Sequence, residues 1–482
     1  MLEILLDKNT VRKLNFFRTL EESPSLSERA KIMMDKLEMS EYLLTKTIQE
    51  LNHDFNKFNL TEVFNIYTRD DEIILEESFL ATSDYLEECY LGQSHICGII
   101  ESIFLNEFIS VNDYAVNHFI SYPIIYRELK HRREALKTLG VTITKQFQFF
   151  GKERDIRNLL TLLFSKIYKR DFSLYEGYRT KATEQINQLE RIFDTTFSEK
   201  VKTELMHQLC VSQSRLKTTA KTVADEVSQE HIDFFFPMMG FFSEELRFGN
   251  LRGDDLRAEL TLVYSELLRN GYGNQKLFGK LRENSEIHQR SQYFVGEVVS
   301  KLKLDITKID VERLYQELDI IHFQVVYLPK RSQMIERRID VSYFEDTYNT
   351  FFQFTRHFIL ESQYHPEGKG IWESAIFVFY QYILLLITVI PPDLYSSPIY
   401  IYVDFSLGKL YNDYIIKNMS ILTSLNIVVE SHLSDQTMLI LTDTYLEEAA
   451  LGVASVVWLE PPRARDWSVF ATKILEIQKS ES

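Results

Sequence analysis

Glycine and proline are scarce in this chain, at 16 and 10 of 482 residues. So few turn formers exclude an architecture of many short strands, and the abundant leucine, glutamate and lysine point to a mainly helical chain. Cysteine is scarcer still. Cys89, Cys97 and Cys210 form no CxxC pair, and no histidine stands at zinc-finger spacing from them. This excludes a disulfide framework and a zinc finger, and reads as buried free thiols in a reducing compartment. No apolar run reaches the ~20 residues a membrane span needs. The most apolar, Ala375 to Ile390, is interrupted by Gln381 and reads as a buried helix. The opening residues, MLEILLDKNTVRKLNFF, lack the basic, apolar and small order of a signal peptide. The expectation is a cytoplasmic protein with no membrane contact. Motifs for catalysis are missing as well: no Walker A loop, HExxH, GxSxG or spaced metal ligands. A non-enzyme without cofactor or metal is expected.

Net positive charge is also absent, with 54 Lys+Arg against 70 Asp+Glu and a formal charge of −16. Diffuse nucleic-acid binding is thereby disfavoured. A single local basic reader is not, because screening confines fields to about 8 Å at physiological salt. Such a patch exists. Between Ser121 and Arg157 nine Lys/Arg (127, 130, 132, 133, 137, 145, 152, 154 and 157) face four Asp/Glu (128, 134, 153 and 155).

The length implies three to five domains at about 100–200 residues each. Residues 10–58 are helical in pattern. Ser27 to Ala30 opens a short helix to about Leu37, and a second follows from Ser40, a plausible N-cap, with Leu44, Ile48 and Leu51 as its buried stripe. FNIYTRDDEIILEE then predicts a β-hairpin turning at Asp70-Asp71. Two short helices and a hairpin make a winged helix-turn-helix. The pattern recurs. ICGIIESIFLNEF and SVNDYAVNHF precede a longer helix, PIIYRELKHRREALKTL, with Ser121 as cap, Pro123 in its first turn and Gly140 as its stop. VTITKQFQFFG supplies a second hairpin around Lys145-Gln146.

In such a fold the second helix enters the major groove and the wing meets phosphate or the minor groove. With Ile125, Leu129 and Leu136 inward, the opposite face carries Tyr126, Arg127, Lys130, Arg133 and Lys137. The expected DNA contacts of this main reader are Ser121, Tyr122, Tyr126, Arg127, Lys130, Arg133, Lys145 and Gln146. The first reader helix offers Glu41, Thr45, Lys46 and Gln49, but residues 1–70 hold ten Lys/Arg against twelve Asp/Glu, which suits an auxiliary role.

Residues 165–182 lose periodicity and read as a linker. Long amphipathic helices fill 183–393, with a split near 284. Two stretches in them look related, TELMHQLCVSQSRLK (203–217) and ERLYQELDIIHFQVVYLPKR (312–331), each placing a histidine inside an apolar helix. His207, His322 and His357 all lie in such contexts, where a lone histidine is usually a core residue satisfied by its neighbours. Beyond Pro391-Pro392, strands (PIYIYVDFS, NIVVE, QTMLILTD, SVVWLE) alternate with helices (GKLYNDYIIKNMSIL, RDWSVFATKILEIQK), which predicts a small α/β domain with a mainly parallel sheet.

This order of parts, carried by LEMSEYLLTKTIQELNHDF, ISYPIIYRELKHRREALKTLGVTITKQFQFFG and VDFSLGKLYNDYIIKN, resembles the Mga/AtxA family of virulence-type transcriptional regulators across essentially the whole chain. The resemblance implies five parts. They are a winged helix at 1–70, the main DNA reader at 71–164, two phosphotransferase-system regulation domains (PRDs) at 165–283 and 284–393, and a domain like the EIIB subunit of that system at 394–482. It implies binding to double-stranded promoter DNA and homodimerisation through the C-terminal domain. It also implies phosphorylation of PRD histidines by the phosphocarrier protein of the sugar phosphotransferase system (PTS). His207, with Arg215 downstream, ranks first as acceptor, ahead of His322 and His357. One departure stands out. An EIIB enzyme carries its phosphoryl group on a cysteine after the first strand, and here that loop reads Asp404-Phe405-Ser406-Leu407-Gly408. A phosphotransfer enzyme of sugar uptake is the first alternative, and the missing cysteine counts against it. An RNA-binding antiterminator is the second, and the helical, winged N-terminus counts against that.

Overall fold

A computed structural model of the chain resolves into two units, residues 1–277 and 278–482. It describes residues 2–23, 25–78, 80–219, 221–239, 251–273, 275–328, 341–419, 425–445 and 452–481. The chain is mostly helical with a small α/β part, as the shortage of turn formers implied.

In the first unit, α1 (Lys8–Glu21), α2 (Ala30–Leu37) and α3 (Glu41–Lys57) pack over a three-stranded sheet. Ser40 caps α3 by accepting from the Leu43 N–H. Strands β2 (Phe64–Arg69) and β3 (Glu72–Glu77) pair antiparallel along their whole length. Asp70 and Asp71 both adopt positive φ, 48° and 67°, the backbone a two-residue hairpin turn requires. The hairpin is thus one piece through residue 70, where a domain limit was expected. The helix expected from Ser27 starts only at Ala30. Ser27–Arg29 is instead strand β1, paired to β3 at Ser27↔Ile74, with the Ser27 hydroxyl on Glu72 (2.8 Å). An open sheet edge beside this segment outcompetes its weak helical preference.

Helix α4 (Ser83–Gln93) leads into the second motif: α5 (His95–Phe104), α6 (Val111–Asn117), α7 (Tyr122–Leu136) and the hairpin β4 (Val141–Ile143) with β5 (Phe149–Gly151). Helix α8 (Glu153–Tyr168) follows at once. It runs through the domain limit expected at 164, and the stretch read as a linker from 165 is mostly exposed or half-buried but sends Tyr175 and Ala182 into the core. Tyr175 is buried, and its ring meets Phe104 and Phe164. Then come α9 (Arg179–Phe193), α10 (Glu199–Thr219), α11 (Gln229–Met239) and α12 (Gly253–Arg269). Helix α13 (Gln275–Glu283) spans the division between units.

The second unit opens with α14 (Ser285–Leu302), capped by Asn284. With α15 (Val311–Tyr327), α16 (Val341–Thr347), α17 (Asn349–Ser362) and α18 (Ala375–Val389) it encloses an aromatic core that includes Phe294, Phe358 and Tyr382. Residues 329–331 of the second histidine stretch lie outside the described residues. The segment Pro366–Val389 is apolar and long enough by composition to cross a membrane. In the fold its helix α18 buries Val378, Tyr382, Ile383 and Leu386 in this core, while Ile376 and Leu384 stay exposed. It is therefore a one-faced core helix rather than one buried all round.

The chain ends in a four-stranded parallel sheet, order β7-β6-β8-β9, formed by β6 (Ile399–Asp404), β7 (Ile427–Glu430), β8 (Leu439–Thr442) and β9 (Ala454–Val457). Helices α19 (Lys409–Met419) and α20 (Ala464–Glu481) accompany it. Residues 420–422, read as the end of the first of these helices, lie outside the described residues.

Two histidines are locked in the helical cores. His231 Nε2 lies 2.8 Å from the Ser265 hydroxyl. His322 lies between Ser291 (2.9 Å) and Tyr382 (2.7 Å). Burial, helped by Arg154 and Arg290 respectively, pushes both down to about 3. In the unfolded chain they protonate near the ordinary ~6.5, so below that pH the unfolded chain binds more protons and stability falls as pH drops from about 6.5 toward 3. The thermal midpoint is expected to be lower at pH 5.5 than at pH 7.5. In His322→Gln part of that difference should vanish, and an unchanged difference in calorimetry would contradict this account.

Candidate nucleic-acid interface

The second helix-turn-helix is built by local sequence. Ser110 caps α6 through the Asp113 N–H (3.0 Å). Ser121 occupies the N-cap position of α7, yet its side chain makes no capping bond, contrary to expectation. Pro123 in the first turn, which needs no N–H there, starts the helix instead. Ile125, Leu129 and Leu136 are buried, as their spacing predicted. Gly140 stops the helical run at φ 75°. The hairpin then needs Gly151: at φ 146° a Cβ there would sit 2.3 Å from the Gly140 carbonyl oxygen. The wing turn closes through Thr144, whose N–H donates to the Gln148 carbonyl (2.8 Å).

On this scaffold Ser121, Tyr122, Tyr126, Arg127 and Lys130 all face solvent from α7, and Lys145 and Gln146 do so from the wing tip. Tyr122 and Tyr126 stack on one another at 5.7 Å. Of the nine cations counted from Ser121 to Arg157, five are exposed: Arg127, Lys130, Lys137, Lys145 and Lys152. Lys137 is paired with Glu134 at 2.7 Å.

The other four cations are at least partly withdrawn from solvent. Arg133, expected among the readers, ties helix to wing. Its Nη2 donates to the Thr144 carbonyl (3.0 Å), and its guanidinium lies over the Phe147 ring at 5.2 Å. Phe147 in turn packs on Phe108. Arg157 and Arg215 converge on the buried carboxylate of Glu153, the first residue of α8. Arg215 binds both its oxygens (2.9 and 2.7 Å), and Arg157 Nε donates to one of them (3.0 Å). Arg157 also reaches Glu259 (2.7 and 2.8 Å) and the Lys221 carbonyl (2.8 Å). Burial pushes the Glu259 carboxyl up, with Arg157 opposing. Glu226 caps α8 by accepting from the N–H groups of Glu153 (2.6 Å) and Arg154 (2.8 Å). Arg215 also lies over the ring of Phe149 in β5, at 5.7 Å. The wing is thus touched from α10 by Arg215, and α8 directly behind it is held from α10 and α12, by residues far downstream in the sequence.

The first helix-turn-helix presents a different face. Glu41, Thr45, Lys46 and Gln49 are all exposed along α3. Lys46 stands 3.8 Å from Glu50, and Glu50 is also bound by Arg12 (2.7 Å). Its hairpin ends in Asp70 and Asp71, an acidic tip.

The histidines separate clearly. His207 is fully buried. Its Nε2 donates to the Lys169 carbonyl (2.8 Å) and its Nδ1 accepts from the Tyr175 hydroxyl (2.9 Å). Burial pushes it below the usual histidine range. His322 is likewise saturated. The Ser291 hydroxyl donates to the buried Asp319 (2.5 Å), which leaves the Ser291 oxygen to accept from His322. His357 alone of the three is open, with 60% of its side chain exposed and Nε2 at 2.8 Å from Glu361. In the α/β domain, the loop after β6 is occupied by protein: the Ser406 N–H donates to both oxygens of Asp443 (3.1 Å each).

Residues 81–164 match the family described as the Mga helix-turn-helix domain. The match supports membership of the Mga family and points to a DNA-binding transcriptional regulator. Among curated proteins nothing matches the chain.

Arg215→Ala would strip Glu153 of its bidentate partner, and breaking a buried pair in this way costs on the order of 3 kcal/mol. Urea unfolding should show that loss. Amide exchange of residues 141–151 should accelerate in the same variant, whereas an unchanged wing would show that the cluster serves α10 alone.

Proposed function

We propose that this chain is a transcriptional regulator that binds promoter DNA chiefly through α7 and the β4–β5 wing. The observation that carries the reading is the joint exposure of Tyr122, Tyr126, Arg127, Lys130, Lys145 and Gln146 on a helix-turn-helix within the matched segment. In this geometry α7 reads base edges, where arginine bonds bidentately to guanine. Lys145 and Lys152 neutralise phosphate. Arg133 positions the wing rather than touching DNA. The first reader, with its acidic hairpin tip, serves as the auxiliary. Such a regulator acts in the cytoplasm and needs no cofactor. Arg127→Ala with Lys130→Ala is expected to weaken duplex binding in a gel-shift titration and to relax discrimination between sequences, whereas Lys145→Ala with Lys152→Ala should lower the salt slope by about 2. A double variant that binds duplex like the parent would refute the assignment of α7.

The second layer of the reading is control by PTS-dependent histidine phosphorylation in two PRDs, with dimerisation through an EIIB-like domain. Exposed Leu407, Leu410 and Tyr414 in the α/β domain favour an apolar partner surface there. Accessibility changes the order of acceptors: His357 comes first, because His207 and His322 can accept phosphate only after their buried hydrogen bonds open. A phosphohistidine beside Glu361 would set like charges together and displace that carboxylate. Phosphosite mapping after incubation with the phosphocarrier system, coupled to sedimentation, tests both points. Label should appear on His357 before His207 or His322, with a change in the monomer–dimer balance. No label on any of the three removes the regulatory reading.

A further inference from the structure

Phe119 is the most exposed large apolar side chain among the described residues, at 98%. It stands in the turn between α6 and α7, in left-handed backbone with φ 56°. The Phe119 N–H returns to the Val116 carbonyl (3.2 Å) and the Ile120 N–H to the Ala115 carbonyl (2.9 Å), so Phe119 fills the position after a helix end that folding reserves for glycine or asparagine. A bulky residue there is strained, and a ring held in water adds nothing to the core. The half-buried Phe147, also at positive φ (57°), differs: its ring meets Phe108 and Arg133. No packing explains Phe119.

Its neighbourhood does suggest a purpose. Phe119 lies three residues ahead of Tyr122, the first residue of α7 and a member of the exposed Tyr122–Tyr126 stack. A second exposed ring, Phe150 at 67%, flanks α7 from the wing. Phe150 pairs with Thr142, and residues directly opposite in a hairpin share a sheet face. The Thr142 hydroxyl donates to the Arg133 carbonyl of α7 (3.1 Å), which fixes that face as the one turned toward the reader helix. The same helix and wing expose cations: Arg127 and Lys130 on α7, Lys145 at the wing tip and Lys152 just after the wing.

From this placement we propose that Phe119 and Phe150 are apolar DNA contacts, which bracket α7 and press against sugar and base-edge surface, or into a partly opened base step, where the helix and wing enter the duplex. The proposal rests on the DNA-reading function assigned above and adds residues that charge could not identify. The surrounding cations select a polyanionic surface as the occupant over a neutral protein face. Apolar contacts displace no counterions, so their contribution should be independent of salt, unlike that of the lysines.

Phe119→Gly separates the roles. Relief of the left-handed strain should leave the thermal midpoint equal or higher. Duplex affinity should nonetheless fall about tenfold, with the slope of log K against log salt unchanged. Phe150→Ala should behave alike in binding, and Phe119→Trp should retain affinity. If the parent binds duplex and both variants bind it equally well, the inference fails while the DNA reading stands. If the parent does not bind duplex, the reading itself fails. If either variant instead changes sedimentation without altering DNA affinity, the rings belong to an interface between copies of the chain, and the inference is overturned.

Discussion

A single buried carboxylate organises the junction between the DNA reader and the helices behind it. Glu153 begins α8 directly after the wing, and two arginines from different helices close on it. One carboxylate with two guanidiniums in a site nearly closed to water is stable only if every donor finds an acceptor. Here Glu259 and the Lys221 carbonyl take the remaining donors of Arg157. Arg215 also covers a wing ring. The geometry of the reader is therefore set partly by helices 60 to 110 residues downstream (Arg215 and Glu259 against Glu153).

The same helix α10 carries His207 and Arg215, eight residues and about two turns apart. His207 is held by Tyr175 and by the Lys169 carbonyl at the end of α8. Helix α8 is thus gripped at both ends by α10: its start through Glu153, its end through Lys169. A change at either grip would be felt along a helix whose first residue abuts the wing. The position of α10 is thereby coupled to that of the helix that follows the wing.

Charge is distributed to the same effect. In a chain at −16, α7 and the wing still expose Arg127, Lys130, Lys137, Lys145 and Lys152, whereas the first hairpin turns at Asp70 and Asp71. Screening confines these fields to about a Debye length, so the two hairpins differ in the local charge they offer a polyanion. Under the proposed reading, the Tyr122–Tyr126 stack and the exposed Phe119 and Phe150 would add contacts that salt does not screen.

Local sequence determined a good deal by itself. The stripe Ile125, Leu129 and Leu136, the Ser40 cap, the Asp70-Asp71 turn and the parallel α/β alternation follow from periodicity and turn chemistry, which act over a few residues. The tertiary structure alone decided the rest. It made Arg133 a wing tie and drew Arg157 into a core. It satisfied His207 with partners 32 and 38 residues away, and capped α8 with Glu226 from 73 residues away. It paired Ser27–Arg29 with a strand instead of extending a helix, and it left Phe119 in water. Composition counts a cation or a histidine, but whether that group meets solvent, DNA or a buried carboxylate depends on neighbours distant in the chain, which only the fold brings within hydrogen-bond reach.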